Sequence, residues 1–114
     1  MNLEFEQLEG GIRLIRLSGE LDIIGTGQVE TKVAAYSAVD GVRLLIDLSG
    51  VSFLASIGIR MLMLTAKSIA RRGGKMGLLS PNERVREILD ITGIPVVIPI
   101  YDSLEEAQAA MLAN

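Results

Sequence analysis

The chain has 114 residues, with 49% hydrophobic and 22% charged residues, 11 Lys and Arg against 14 Asp and Glu, and no Cys, His or Trp. That length fits one compact domain. The missing Cys and His exclude a zinc site of the usual ligands, a disulfide framework, a thiol nucleophile and any His-dependent triad. The net charge of −3 gives no global electrostatic case for binding nucleic acid.

Mean hydropathy is high at +0.41, yet the charge-free run Leu48–Ile59 is broken by Ser49, Gly50, Ser52 and Ser56. It is shorter than the ~20 residues of a membrane span. The start, Met-Asn-Leu-Glu-Phe-Glu, is acidic and alternating, unlike a signal peptide. The expectation is a cytoplasmic protein whose excess apolar residues lie in a sheet covered by helices.

In chain order, Leu3 and Phe5 alternate with Glu4 and Glu6, the period of a half-buried strand. Gly10-Gly11 interrupts, and Ile12–Leu17 resumes, which predicts a hairpin. A helix is predicted over Thr26–Val39, stopped by Asp40-Gly41, and a central strand over Val42–Leu48. The second helix runs from about Ser56 to Arg72 and closes at Gly73-Gly74, before a short strand at Met76–Leu79. Ser80-Pro81-Asn82-Glu83 reads as a helix start with Ser80 as cap, and that helix runs to about Ile91. Val96–Ile98, bracketed by Pro95 and Pro99, is expected as an edge strand. Ser103 and Glu106 stand at capping-box spacing for a last helix. The predicted order is β-β-α-β-α-β-α-β-α: one α/β domain over 1–114, with four helices and a mixed, mainly parallel sheet after the N-terminal hairpin.

Ser56, Arg60, Met63, Lys67 and Arg71 form one stripe at helical spacing, with Ile57, Met61, Leu64 and Ile69 on other faces as expected core. Between Ser56 and Asn82 lie five basic residues and no acidic one. A phosphate on Ser56 would meet the N–H groups and positive dipole end of that helix, with Arg60 one turn on. Ser56 also reads as a plain N-cap, worth about 1 kcal/mol, and the two readings are compatible. Gly58 costs about 1 kcal/mol against Ala, so it serves either close approach of a partner or tight packing on the sheet. Glu20 and Asp22 are either contacts for a partner or two solvated acids at a strand end. No paired-carboxylate site and no phosphate loop is present, and the basic stripe lacks interleaved aromatics.

Two segments together resemble a known family. Leu17-Ser18-Gly19-Glu20-Leu21-Asp22, and Leu44 through Leu62 with Ala55-Ser56-Ile57-Gly58 at its centre, are similar to the STAS domain of single-domain bacterial anti-sigma factor antagonists. Ile100–Ala107 is similar to that family's closing strand and helix. The resemblance implies a non-enzymatic partner switch without a cofactor. The unphosphorylated form would bind an anti-sigma factor that is also an ATP-dependent serine kinase, and so release a sigma factor. Phosphorylation would break the complex and a serine phosphatase would restore it.

Ser56 matches the phosphoacceptor. The partner surface implied comprises Glu20, Asp22, Ile23, Ile24 and Thr26 from the first segment, and Ala55, Ser56, Ile57, Gly58 and Arg60 from the second. Ala55 and Ile57 replace an acid and a second hydroxyl residue of the best-known members, and Ile23-Ile24 replaces polar residues. One of those isoleucines is expected to pack inward and one outward. The alternative is a constitutive accessory subunit of a membrane transport or signalling complex, itself outside the membrane, with Ser56 unmodified.

Overall fold

The computed structural model describes residues 1–113. Strand β1 (Asn2–Gln7) pairs antiparallel with β2 (Ile12–Leu21) across a 3-10 turn at Glu9–Gly11, where Gly10 and Gly11 take φ of 78° and 75°. Helix α1 (Ile23–Ser37) leads to β3 (Arg43–Leu54), and α2 (Ser56–Arg71) leads to β4 (Lys75–Leu79). Then come α3 (Glu83–Ile91), a single helical turn α4 (Ile94–Val97), the two-residue β5 (Ile100–Tyr101) and α5 (Leu104–Leu112). The five strands lie in sequence order, and β2 to β5 are parallel. The α/β architecture is the one expected from the sequence.

Sequential parallel strands with crossovers of one hand place all the crossover helices on one face. Accordingly Leu44, Ile46 and Leu48 of β3 pack in one core with side chains of α1, α2, α3 and α4. Leu45, of opposite parity, packs with Ala107 and Met111 of α5. This double burial explains the near-continuous apolar run of β3. Farther along the α5 face the sheet is polar, with Arg16 at 2.8 Å from Glu6 and 3.9 Å from Asp47.

Three expectations are corrected. The fifth predicted strand, Val96–Ile98, is not a strand. After Gly93 at φ 77° the chain turns helically, with Pro95 in the first turn, and Ile98 N–H donates to the Ile94 carbonyl at 2.8 Å. The turn brings Ile94 and Ile98 into the core, adds a fifth helix, and defers pairing to Ile100.

The cap of α3 is Asn82, not Ser80. Asn82 accepts from Val85 N–H at 2.8 Å and donates to the Val51 carbonyl at 3.0 Å. Ser80 sits at φ 51°, outside the extended region an N-cap needs. Ile57 and Leu64 are not core; they are 37% and 53% exposed, whereas Met61 and Ile69 are buried. Among the described residues no helix is long and apolar enough to cross a membrane.

Candidate functional site

The site is built by the C-terminal ends of β2 and β3, which continue together beyond the reach of β4. β4 stops pairing at Asp47, but β2 and β3 pair on through Ser18↔Gly50, Glu20↔Phe53 and Leu21↔Leu54. Two register shifts allow this, each with one extra residue on β3, opposite Arg16–Ser18 and opposite Gly19–Glu20 of β2. Gly50 is needed at the first: a Cβ there would lie 2.8 Å from Ser18 Cβ and 3.0 Å from the Leu17 carbonyl oxygen. The strands finish side by side, with Ala55 N–H donating to the Leu21 carbonyl at 3.0 Å. The N-termini of α1 and α2 therefore emerge together at the carboxyl end of the sheet, where open α/β sheets place their ligands.

Asp22 is the N-cap of α1. Its half-buried carboxylate accepts from Gly25 N–H at 2.7 Å, satisfying one orphan donor of the first turn. Gly25 makes this possible, because a Cβ there would fall 1.8 Å from the Glu20 carbonyl oxygen. α1 begins at Ile23, three residues before the predicted start, for this reason. Ile23 and Ile24 are both exposed, at 74% and 73%, so neither packs inward. Glu20 is exposed beside Phe53, which is 44% exposed. Thr26 is buried, and its Oγ1 has no hydrogen-bond partner among the described residues.

The N-cap of α2 is Ala55 and not Ser56. Ala55 has no side-chain oxygen to cap with, so the helix starts without a side-chain cap. Ser56 is the first helical residue and is exposed, as are Arg60, Lys67 and Arg71 along the same stripe, while Met63 is half-buried. Among the described residues no carboxylate comes within ion-pair distance of Arg60, Lys67 or Arg71, whereas Arg72 reaches Asp40 at 3.3 Å. Gly58 is buried; a Cβ would lie 2.9 Å from both Leu21 Cβ and Leu54 Cδ1. Close packing of α2 on its own sheet accounts for this glycine.

Eight of the ten expected contact residues thus gather at one end of the sheet with some exposure, and Thr26 and Gly58 lie beneath them. Sequence reasoning passed over Gly25 and Phe53. Asp22-Ile-Ile-Gly25 was a legible cap signal, an acid three residues before the amide it accepts from. Nothing local marks Phe53 as exposed, because that follows from the register shift.

Chemically the site offers a nucleophilic hydroxyl at Ser56, the free donors of the first turn of α2, a guanidinium one turn on, and an apolar rim. Among the described residues no three His, Cys, Asp or Glu side chains come together to hold a metal ion.

Comparison with known proteins places this geometry. The model of the STAS domain matches residues 5–107. The anti-sigma F factor antagonist of Paenibacillus polymyxa is 30% identical over 105 residues, covering 90% of each chain. The anti-sigma-B factor antagonist of Bacillus subtilis (strain 168) is 30% identical over 100 residues, covering 88% of this chain and 90% of its own. The crystal structure of an anti-sigma factor antagonist from Mycobacterium paratuberculosis superposes with a TM-score of 0.87 at 28% identity, over 98% of this chain and 94% of that one. On the fold, the two matching segments and the family model together, the chain belongs to the STAS domain family.

Proposed function

We propose that the protein is an anti-sigma factor antagonist switched by phosphorylation of Ser56. Unphosphorylated, it binds an anti-sigma factor with serine-kinase activity in the cytoplasm and frees the sigma factor. Phosphorylated, it is released until a serine phosphatase resets it. The observation that carries this reading is the exposed Ser56 hydroxyl at the start of an uncapped sixteen-residue helix, beside the exposed Ile23-Ile24 pair. The names of the relatives support the partner class.

The energetics follow from charge. A phosphoryl group adds about two negative charges at the centre of the contact, and docking would have to desolvate them. Intramolecularly the same group is accommodated, because the first-turn N–H groups and Arg60 stabilise it without refolding. Ile23, Ile24 and Ile57 supply the apolar contact, and Glu20 and Asp22 the acidic flank. Thr26 and Gly58 act as supports beneath.

The test is incubation with the cognate serine kinase and ATP, phosphate mapping by mass spectrometry, and partner affinity by calorimetry. Phosphate should appear on Ser56 alone. Ser56→Ala should block incorporation and bind within about threefold of wild type, whereas Ser56→Asp should bind about fiftyfold more weakly or worse. No incorporation, with both variants binding as wild type, would overturn the switch.

A further inference from the structure

At the opposite end of the sheet the ladder between β4 and β5 is cut short. The two strands pair only at Leu78↔Ile100 and Leu79↔Tyr101, with Leu78 N–H donating to the Pro99 carbonyl at 2.9 Å. In a parallel ladder the next bond would run from the nitrogen of residue 99 to the Met76 carbonyl. Proline has no N–H to give, and before it the chain coils away into α4. Lys75 N–H donates to Val42 of β3 at 2.8 Å, so by alternation the Met76 N–H points outward to the open edge. Among the described residues no hydrogen bond reaches it there. Met76 as a whole is 7% exposed, and a backbone donor without a protein partner is satisfied by what occupies the space beside it, water or ligand.

A cavity of ≈ 360 Å³ lies over this edge. Ile69 and Ala70 of α2, Ala110 and Met111 of α5 and Val97 of α4 supply apolar walls, and Met76 lines it too. Lys67, Lys75 and Tyr101 bring polar groups to the lining, and among the described residues no Asp or Glu is part of it. Lys75 donates to the Ala113 carbonyl, and an ammonium has two further donors.

We propose that this gap is a binding site for a medium-chain aliphatic carboxylate, its tail between α2 and α5 and its oxygens on the Met76 N–H and the two lysines. Both halves of the ligand are specified by the walls. A CH2 group occupies about the volume of a water molecule, roughly 30 Å³, so the cavity takes a chain of about ten carbons. The cations and the orphan amide select an anion over a neutral or cationic head, through charge-assisted hydrogen bonds. The size falls at the lower end of the range for small-molecule sites, about 300–1,000 Å³. The site is independent of the Ser56 reading: it shares only Lys67 with the stripe that Ser56 heads, and none of the expected partner-contact residues lines it.

The experiment is titration of the full chain with sodium decanoate up to about 1 mM, followed by amide chemical shifts. Saturable shifts should cluster at Ala70, Met76, Tyr101 and Ala110, with the Met76 amide proton moving most downfield. Decan-1-ol and decyltrimethylammonium should bind at least about tenfold more weakly, and Lys67→Glu should weaken decanoate by about tenfold. Ala70→Trp, at an exposed helix position, should abolish the shifts while leaving the remaining spectrum folded. Three results would overturn the proposal. They are shifts that never saturate and spread to exposed Ile91 and Val96, decanol binding as well as decanoate, or unaltered binding by Ala70→Trp.

Discussion

Two strand pairs of one parallel sheet finish in opposite ways. β2 and β3 run past the rest of the sheet because glycines at 19 and 50 let the register slip without breaking the ladder. β4 and β5 stop after two paired residues because a proline stands where the next donor is needed. At the first end the ladder between the two strands is continued, and the extension carries exposed side chains and two helix starts outward. At the second end an edge group is left unpaired beneath an apolar cavity. The difference teaches that continuing a ladder carries exposed side chains outward, whereas interrupting one leaves room beside the sheet.

The strongest way to break the first end is to remove the glycine under its cap. Gly25→Ala places a Cβ against the Glu20 carbonyl oxygen, and backbone cannot yield as a side-chain tip does. A loss of about 3 kcal/mol is expected, read as a urea midpoint lower by more than about 1 M at unchanged m. A midpoint within error of wild type would show that the close approach is not enforced.

Asn82→Ala comes next, because it removes both the cap of α3 and the bond to Val51 that ties this helix to the extended part of β3. The expected cost is about 1–2 kcal/mol, measured by chemical denaturation. Ser80→Ala should cost clearly less, since Ser80 caps nothing.

Pro99→Ala sharpens the other end. The new amide is positioned to donate to the Met76 carbonyl and lengthen β5. It should exchange with solvent more than about tenfold slower than an unstructured amide, with stability altered by no more than about 1 kcal/mol. Free exchange at residue 99 would mean that proline is not what terminates the strand. The smallest stability effect belongs to Ile23→Ser combined with Ile24→Ser, within about 0.5 kcal/mol per residue because both are exposed. On the proposed function, the same pair should weaken binding of the anti-sigma factor by about tenfold or more, so calorimetry would separate a docking role from a folding one.

Much of the fold was legible from local signals. Alternation in Leu3–Glu6, the stops at Gly10-Gly11 and Gly73-Gly74, and the Ser103 cap stand as read, with Ser103 Oγ accepting from Glu106 N–H at 3.2 Å; α1 ends at Ser37, short of the expected Val39. Ser56 was legible as a helix start, but it was read as the N-cap, a position that Ala55 holds. Val96–Ile98 was read as a strand because β-branched residues favour one. Burial of Ile94 and Ile98 in a shared core overrode that propensity. Ile57 and Leu64 were read as core because both are apolar on a helix already known to be amphipathic. Periodicity names a helix face, but which part of the face is covered depends on how α1 lies across it.

By itself the sequence determined the order and period of the elements, the absence of catalytic histidine and cysteine, and the placing of Ser56 at the head of a cation-bearing helix. These properties are local: they depend on residues within a few positions of one another. Only the tertiary structure decided that β2 and β3 extend together, that both isoleucines face outward, and that Pro99 leaves Met76 unpaired. Each of those depends on what a neighbouring strand or helix supplies to a backbone group or takes from a side chain's surface. Such partners stand tens of residues away in the chain, beyond the reach of any local pattern.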